Sequence, residues 1–345
     1  MLAEIRLYSC ALFKKSVVAS TLCAMMRFVK MTPLTSLRDA VSRERLSAAS
    51  SPEKPHPQMA VKPLGKRRGW LCEAVGTIHT LHLYGAVGIV AFGWALSRML
   101  GFSCAPFAPL WFCGALLVYN LDRLKHDPSD ALNTPGRLRR HNELRTTSIA
   151  LAMTSALMLI VLPVSRGQWL LLFLTLAAAV FSLSYSFPIF GFRFKDVPAV
   201  KTLFAPAVVL TAFLLPVLLS GELPPDRRTL SAAAWSGCLL LFNMTLCDLR
   251  DLAGDRAHGT RSIPVLLGEN GTRVLLVLLL ALQLFIALAS GWSIAGCASA
   301  VYLGALLFAL RKPQPESFYE WFVEGILFLP AAAELWKHFA HGLPI

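Results

Sequence analysis

The sequence predicts an all-α integral membrane protein, a bundle of about nine transmembrane helices. Three observations carry that expectation. Of 345 residues, 55% are hydrophobic and only 15% charged, where a soluble chain carries about 25% charged residues. The apolar residues gather in continuous runs of about 20, the length an α-helix needs to cross hydrocarbon. The chain carries 33 Lys and Arg against 20 Asp and Glu, and beyond residue 69 the basic residues fall mostly between those runs, as membrane loops arrange them. That placement assigns the formal charge of +13 to a lipid bilayer rather than to nucleic acid.

Element by element, stretches free of Asp, Glu, Lys and Arg cover residues 74–97, 99–121, 146–165, 167–192, 202–221 and 229–247. The run 274–310 is long enough for two crossings, with Gly291 as the turn. The weakest segment, 318–339, is apolar at its centre but carries Glu320, Glu324, Glu334 and Lys337. These runs are continuous rather than alternating, which excludes barrel strands. The eight cysteines show no CxxC spacing and read as small buried hydrophobes.

Lys and Arg crowd the loops that hold Arg123 to Arg145, Arg193 to Lys201, Arg250 to Arg273, and Arg311 with Lys312. The opposite loops carry few, among them Arg98, Arg166, Arg227 and Arg228. This bias places the basic loops and the N-terminus in the cytoplasm. Residues 1–69 form a separate basic tail, and the Ser-, Pro- and Lys-rich stretch 47–66 reads as disordered. Initiation at Met31 or Met59 and a functional extension are both open. Residues 70–345 form the transmembrane domain.

Carboxylates are costly near a membrane, so clusters of them mark function. The sharper cluster is Asp248, Asp251 and Asp255, at the end of the sixth run. Offsets of 0, +3 and +7 put the three on one helical face. Such crowding calls for a cation, and Mg²⁺ combines one or two carboxylates with substrate phosphates. Arg250, Arg256 and Arg261 lie nearby; the other reading is a solvated, salt-bridged helix end. The first cluster in chain order follows the second run: Asn120, Asp122, Asp127 and Asp130. Asp122 and Asp127 stand about 140° apart on an ideal helix, and Pro128 discourages a helix through Asp127. These acids converge only if the chain folds back; Asn120 and Asp122 are the better metal candidates, and Asp130 reads equally as a turn residue.

The segment 248–268, DLRDLAGDRAHGTRSIPVLLG, resembles the second aspartate motif of the UbiA superfamily of intramembrane prenyltransferases. The stretch from Tyr185 through Phe194, Lys195 and Pro198 to Lys201 is similar to that family's loop after the fourth helix. The resemblance spans roughly residues 74–340. The first motif departs from the family pattern: after Asn120, the chain has Leu121, Leu124 and Pro128 where the family has aspartates. Either the motif has shifted or one metal site is weakened.

The resemblance implies Mg²⁺-dependent transfer of a prenyl group from its diphosphate to a hydrophobic, often aromatic, acceptor. It implies that Asp248, Asp251 and Asp255 hold Mg²⁺, with Asn120, Asp122 and Asp127 on a second ion. Arg123, Tyr185, Lys195 and Arg261 are then the diphosphate contacts. Asn243, on the sixth run, suits either metal or acceptor binding or a bond between helices. His79, His82 and Glu324 pose the same choice. A non-catalytic isoprenoid carrier and a transporter are the competing classes.

Overall fold

The computed structural model describes residues 70–124, 128–188 and 191–341. The chain divides into two compact units, residues 1–71 and 72–345. The expectations for the basic tail and for Asp127 lie outside the described residues.

The described residues are helical, with no strand among them. In chain order the helices are α1 Trp70–Thr80, α2 Leu83–Leu100, α3 Ala108–Leu124, α4 Pro128–Asn133, α5 Pro135–Glu143, α6 Arg145–Ser165 and α7 Trp169–Ser186. There follow α8 Val200–Leu219, α9 Arg227–Arg250, α10 Leu252–Ala257, α11 Ile263–Ala289, α12 Ser293–Ala309 and α13 Leu329–His341. Six of them (α2, α6, α7, α8, α9 and α11) are long and apolar enough to cross a membrane.

The boundaries differ from the expected runs where the backbone has a reason to turn. The run 74–97 is two helices, because His82 takes a left-handed conformation, φ 58°, between α1 and α2. The run 99–121 becomes helical only at Ala108, since Gly101 ends α2 at φ 84° and a short non-helical stretch follows. α7 stops at Ser186, two residues before Pro188, whose ring disfavours helix at the residue preceding it. The long run turns at Gly291, φ 79°, where L side chains are strained. The last segment is broken: a turn at Glu316–Phe318, a π turn Tyr319–Val323 and a 3₁₀ turn Glu324–Phe328 precede α13.

Helices close in sequence pack side by side, from α2 against α3 round to α12 against α13, and α13 also packs on α2. Small residues let backbones approach. A Cβ at Gly93 would stand 2.4 Å from Trp111 and 3.0 Å from Phe213, so this glycine is where α2 receives side chains of α3 and α8. Trp111 Nε1 donates to Ala212 O at 3.1 Å, fixing α3 to α8. Between α9 and α11, buried Trp235 donates to Gln283 Oε1 at 3.0 Å, while Gln283 Nε2 has no hydrogen-bond partner. The outward faces carry large exposed apolar side chains, among them Met153, Phe173, Phe285 and Phe308, as a lipid-facing surface requires.

Candidate functional site

The second acidic cluster forms where α9 ends. Asp248 lies in the last turn of α9 and is buried; Asp251 is the cap, and Asp255 sits on the short helix α10. The expectation that the three acids share one continuous helical face is therefore corrected: the helix breaks at Asp251. Two of them still converge, on a cation from another helix. Lys201, at the start of α8, donates to both oxygens of Asp255 at 2.6 and 2.8 Å and lies 3.5 Å from Asp248 Oδ1. Thr202 Oγ1 donates to Asp248 Oδ2 at 2.5 Å and accepts from the Ile263 N–H at 3.0 Å. Asp251 turns the other way and takes both Nε and Nη2 of Arg250, at 2.7 and 3.1 Å.

The first cluster comes to the same place. Asp122, near the end of α3, accepts a short hydrogen bond from the Ser186 hydroxyl at the end of α7. Arg123 Nη1 pairs with Asp130 Oδ2 at 2.8 Å, so Asp130 is an ion-pair partner on α4 rather than a turn residue. Asn120 is fully buried; its amide donates to Leu116 O and Leu81 O, while its Oδ1 has no hydrogen-bond partner. α4 packs on α10, and Asn133 Oδ1 accepts from the Gly254 N–H at 2.8 Å. A Cβ at 254 would lie 2.5 Å from the Asn133 side chain, which would have to move aside. The loops that follow Asp122 and Asp248 are thus bolted together.

Tyr185, one residue before Ser186, feels the charges of Asp122, Asp248, Asp255 and Asp251 together. Lys195 lies in the 3₁₀ turn Phe194–Asp196 that leads to α8. Arg261 is exposed, and its carbonyl accepts from the Ala199 N–H at 2.8 Å, which ties the loop of Lys195 to the second cluster. Asn243 Nδ2 donates to Val323 O at 2.6 Å, the inter-helix bond that the sequence left open beside binding. Lys201 and Thr202 were missed as central residues, although a lone lysine at the mouth of an apolar run inside the family-like stretch was a visible signal. Asn133 and Ser186 gave none, because only the fold brings them to the acids.

The two carboxylates outside the spanning helices respond in opposite directions. Burial raises the Asp255 carboxyl, and Lys201 only partly offsets it. Burial also raises Asp251, but Arg250, then Lys201 and Arg123, outweigh it and hold that carboxyl below its ordinary value. Among the described residues, no three His, Cys, Asp or Glu side chains converge closely enough to hold an ion unaided.

A helical bundle with an apolar exterior and two acidic loops joined to each other defines an integral membrane protein with a charged site where those loops meet. The family model of the UbiA prenyltransferase family matches residues 127–323, more than half of the chain, and the protein belongs to that family. The match takes in the second cluster and the loop from Tyr185 to Lys201, and begins after Asn120, Asp122 and Arg123. Comparison with curated proteins and with solved structures gives no match.

Proposed function

We propose that the protein transfers a prenyl group from its diphosphate to a hydrophobic acceptor with Mg²⁺ as cofactor. The observation that carries this reading is the meeting of Asp248 and Asp255 on one ammonium, Lys201, beside the loop of Asp122. Membership of the family supports membrane prenyl transfer in general; the metal, the residue roles and the acceptor are this proposal's content.

The donor set fits Mg²⁺. The ion takes hard oxygens and keeps room for phosphate and water, so it needs only one or two carboxylates from the protein. Asp248 and Asp255 already share one cation position, and Asn120 offers a buried oxygen with no partner. Asp248, Asp251 and Asp255 would hold one ion, with Asn120 and Asp122 toward a second. When bound, Mg²⁺ supplies charge neutralisation of the departing diphosphate.

The protein's own groups do the rest. Lys201, once its carboxylates are shared with a metal, can turn to the diphosphate. Arg123, Lys195 and Arg261 add donors around it, and Tyr185 orients it by a hydroxyl held among the acids. Ionisation of the allylic C–O bond leaves a cation that water would trap, and the closed bundle excludes water.

The test is diphosphate release by the purified protein with geranyl, farnesyl or geranylgeranyl diphosphate, Mg²⁺ and a panel of phenolic and lipid acceptors. Release should need the metal and an acceptor. Asp251→Asn should lower it by about 100-fold or more with the fold intact; full turnover by that variant would overturn the assignment. The replacement of family aspartates by Leu121, Leu124 and Pro128 favours a second reading, an isoprenoid carrier, which diphosphate binding without release would support.

A further inference from the structure

Glu324 is a carboxylate that diphosphate chemistry leaves unused. It stands where the π turn Tyr319–Val323 gives way to the 3₁₀ turn Glu324–Phe328. A break of this kind frees carbonyls that hydrocarbon cannot satisfy. Side chains from three helices take them up in succession. Tyr84 of α2 donates to Trp321 O at 3.2 Å, Tyr302 of α12 to Phe322 O at 2.8 Å, and Asn243 of α9 to Val323 O at 2.6 Å. The irregular backbone that presents Glu324 is therefore built and held, as π segments at functional sites commonly are.

Three acids spaced by four residues line this segment, and all three face α5, two of them at hydrogen-bond distance. Glu316 Oε1 accepts from the Gly136 N–H at 3.3 Å, and Glu320 Oε1 from Arg140 at 2.9 Å. Glu324 is different. Among the described residues no hydrogen bond reaches it, its one ion pair, to Arg137 Nη2, is stretched to 3.8 Å, and its side chain keeps 21% exposure. Oε2 lies toward Gly85, where even a Cβ would be 3.7 Å away.

The charges that act on Glu324 come from the helices that carry both acidic clusters. Arg250 of α9 and Arg123 of α3 act on it, as do Arg137 and Glu320. Its own charge acts on Cys247, the neighbour of Asp248, on Tyr119, the neighbour of Asn120, and on Tyr84. A half-paired carboxylate inside a membrane bundle is a functional candidate by default.

Resting on the prenyl-transfer reading, and deepening it, we propose that Glu324 takes the proton that the acceptor substrate loses. In that step the allylic C1–O bond breaks and its electron pair leaves on the diphosphate. A nucleophilic carbon or oxygen of the acceptor forms the bond to C1 with its own pair, and the hydrogen on that atom passes as a proton to Glu324 Oε2. The acceptor is then a molecule whose reacting atom bears a hydrogen, such as a phenol or an electron-rich arene, and Tyr84 and Tyr119 flank its place.

The experiment compares wild type, Glu324→Gln and Glu324→Asp, as full chains in nanodiscs, with a donor and acceptor that wild type turns over. Glu324→Gln should lose about 100-fold or more in kcat, keep the KM for the donor, and lose the acidic limb of the pH–rate profile. Glu324→Asp should keep the limb and part of the rate. A Gln variant with wild-type kcat and an unchanged limb overturns the proposal. So does a loss of melting temperature and donor binding in both variants with the limb retained, the mark of a purely structural role. If the Gln variant does not fold, the Asp variant decides: a retained limb with partial kcat supports the proposal, and equal loss of donor binding and rate overturns it. Absence of diphosphate release from wild type with every donor is a separate result, which overturns the prenyl-transfer reading as well.

Discussion

Lys201 shows how one side chain holds a site together. Its ammonium compensates Asp248 and Asp255 while its own side chain is 15% exposed. Removing one partner of a buried pair leaves the other charge uncompensated, at a cost of about 3–5 kcal/mol. Lys201→Met should therefore lower the melting temperature of the metal-free protein. Adding Mg²⁺ with inorganic diphosphate should recover more stability in that variant than in wild type, as a thermal scan in detergent would show. An equal response in both would mean that the lysine does not occupy the cation position. Asp251 has a pH signature. A carboxyl held below its ordinary value of 3.8 contributes stability above that pH, and the contribution disappears as the pH falls through the folded value. Wild type should melt higher than Asp251→Asn at neutral pH, and the gap should close on acidification below about 4. A gap independent of pH would show that Arg250 does not hold the ionised form.

At the scale of elements, the decisive contact is between two helices of six residues each, α4 and α10. Neither is long enough to be stable alone; each is placed by the other through Asn133 and Gly254. Gly254→Ala would force a Cβ to within 2.5 Å of the Asn133 side chain, and overpacking of this kind costs about 1–3 kcal/mol. The larger effect should be functional. Prising the loops apart should weaken diphosphate-donor affinity, measured by titration, by more than the fall in melting temperature accounts for. The sequence made the Asp248 cluster legible because its spacing is local, but not the helix break at Asp251, which brings Arg250 onto that residue. Nor did it give the role of Lys201, which depends on the start of α8 meeting the end of α9.

For the molecule as a whole, apolar helices around a closed interior and one charged end imply an orientation. The loops rich in Lys and Arg, which include the acidic mouths, should face the cytoplasm. A cysteine-free variant with single cysteines at the exposed positions Arg139 and Arg227 tests this. A membrane-impermeant maleimide applied to intact cells should label position 227 and spare position 139. The reverse pattern would invert the topology and place the site outside.

Composition and the length of apolar runs by themselves determined that the chain is a helical membrane bundle. They also located the long spans, the turn at Gly291 and the second acidic cluster, because each is written in a short window of residues. Tertiary structure alone decided that both acidic loops share one mouth, that a lysine from a third element lies between two aspartates, and that the last apolar segment breaks to present Glu324. Those features arise from side chains far apart in the chain whose meeting depends on how helices pack, and no local period or spacing encodes that.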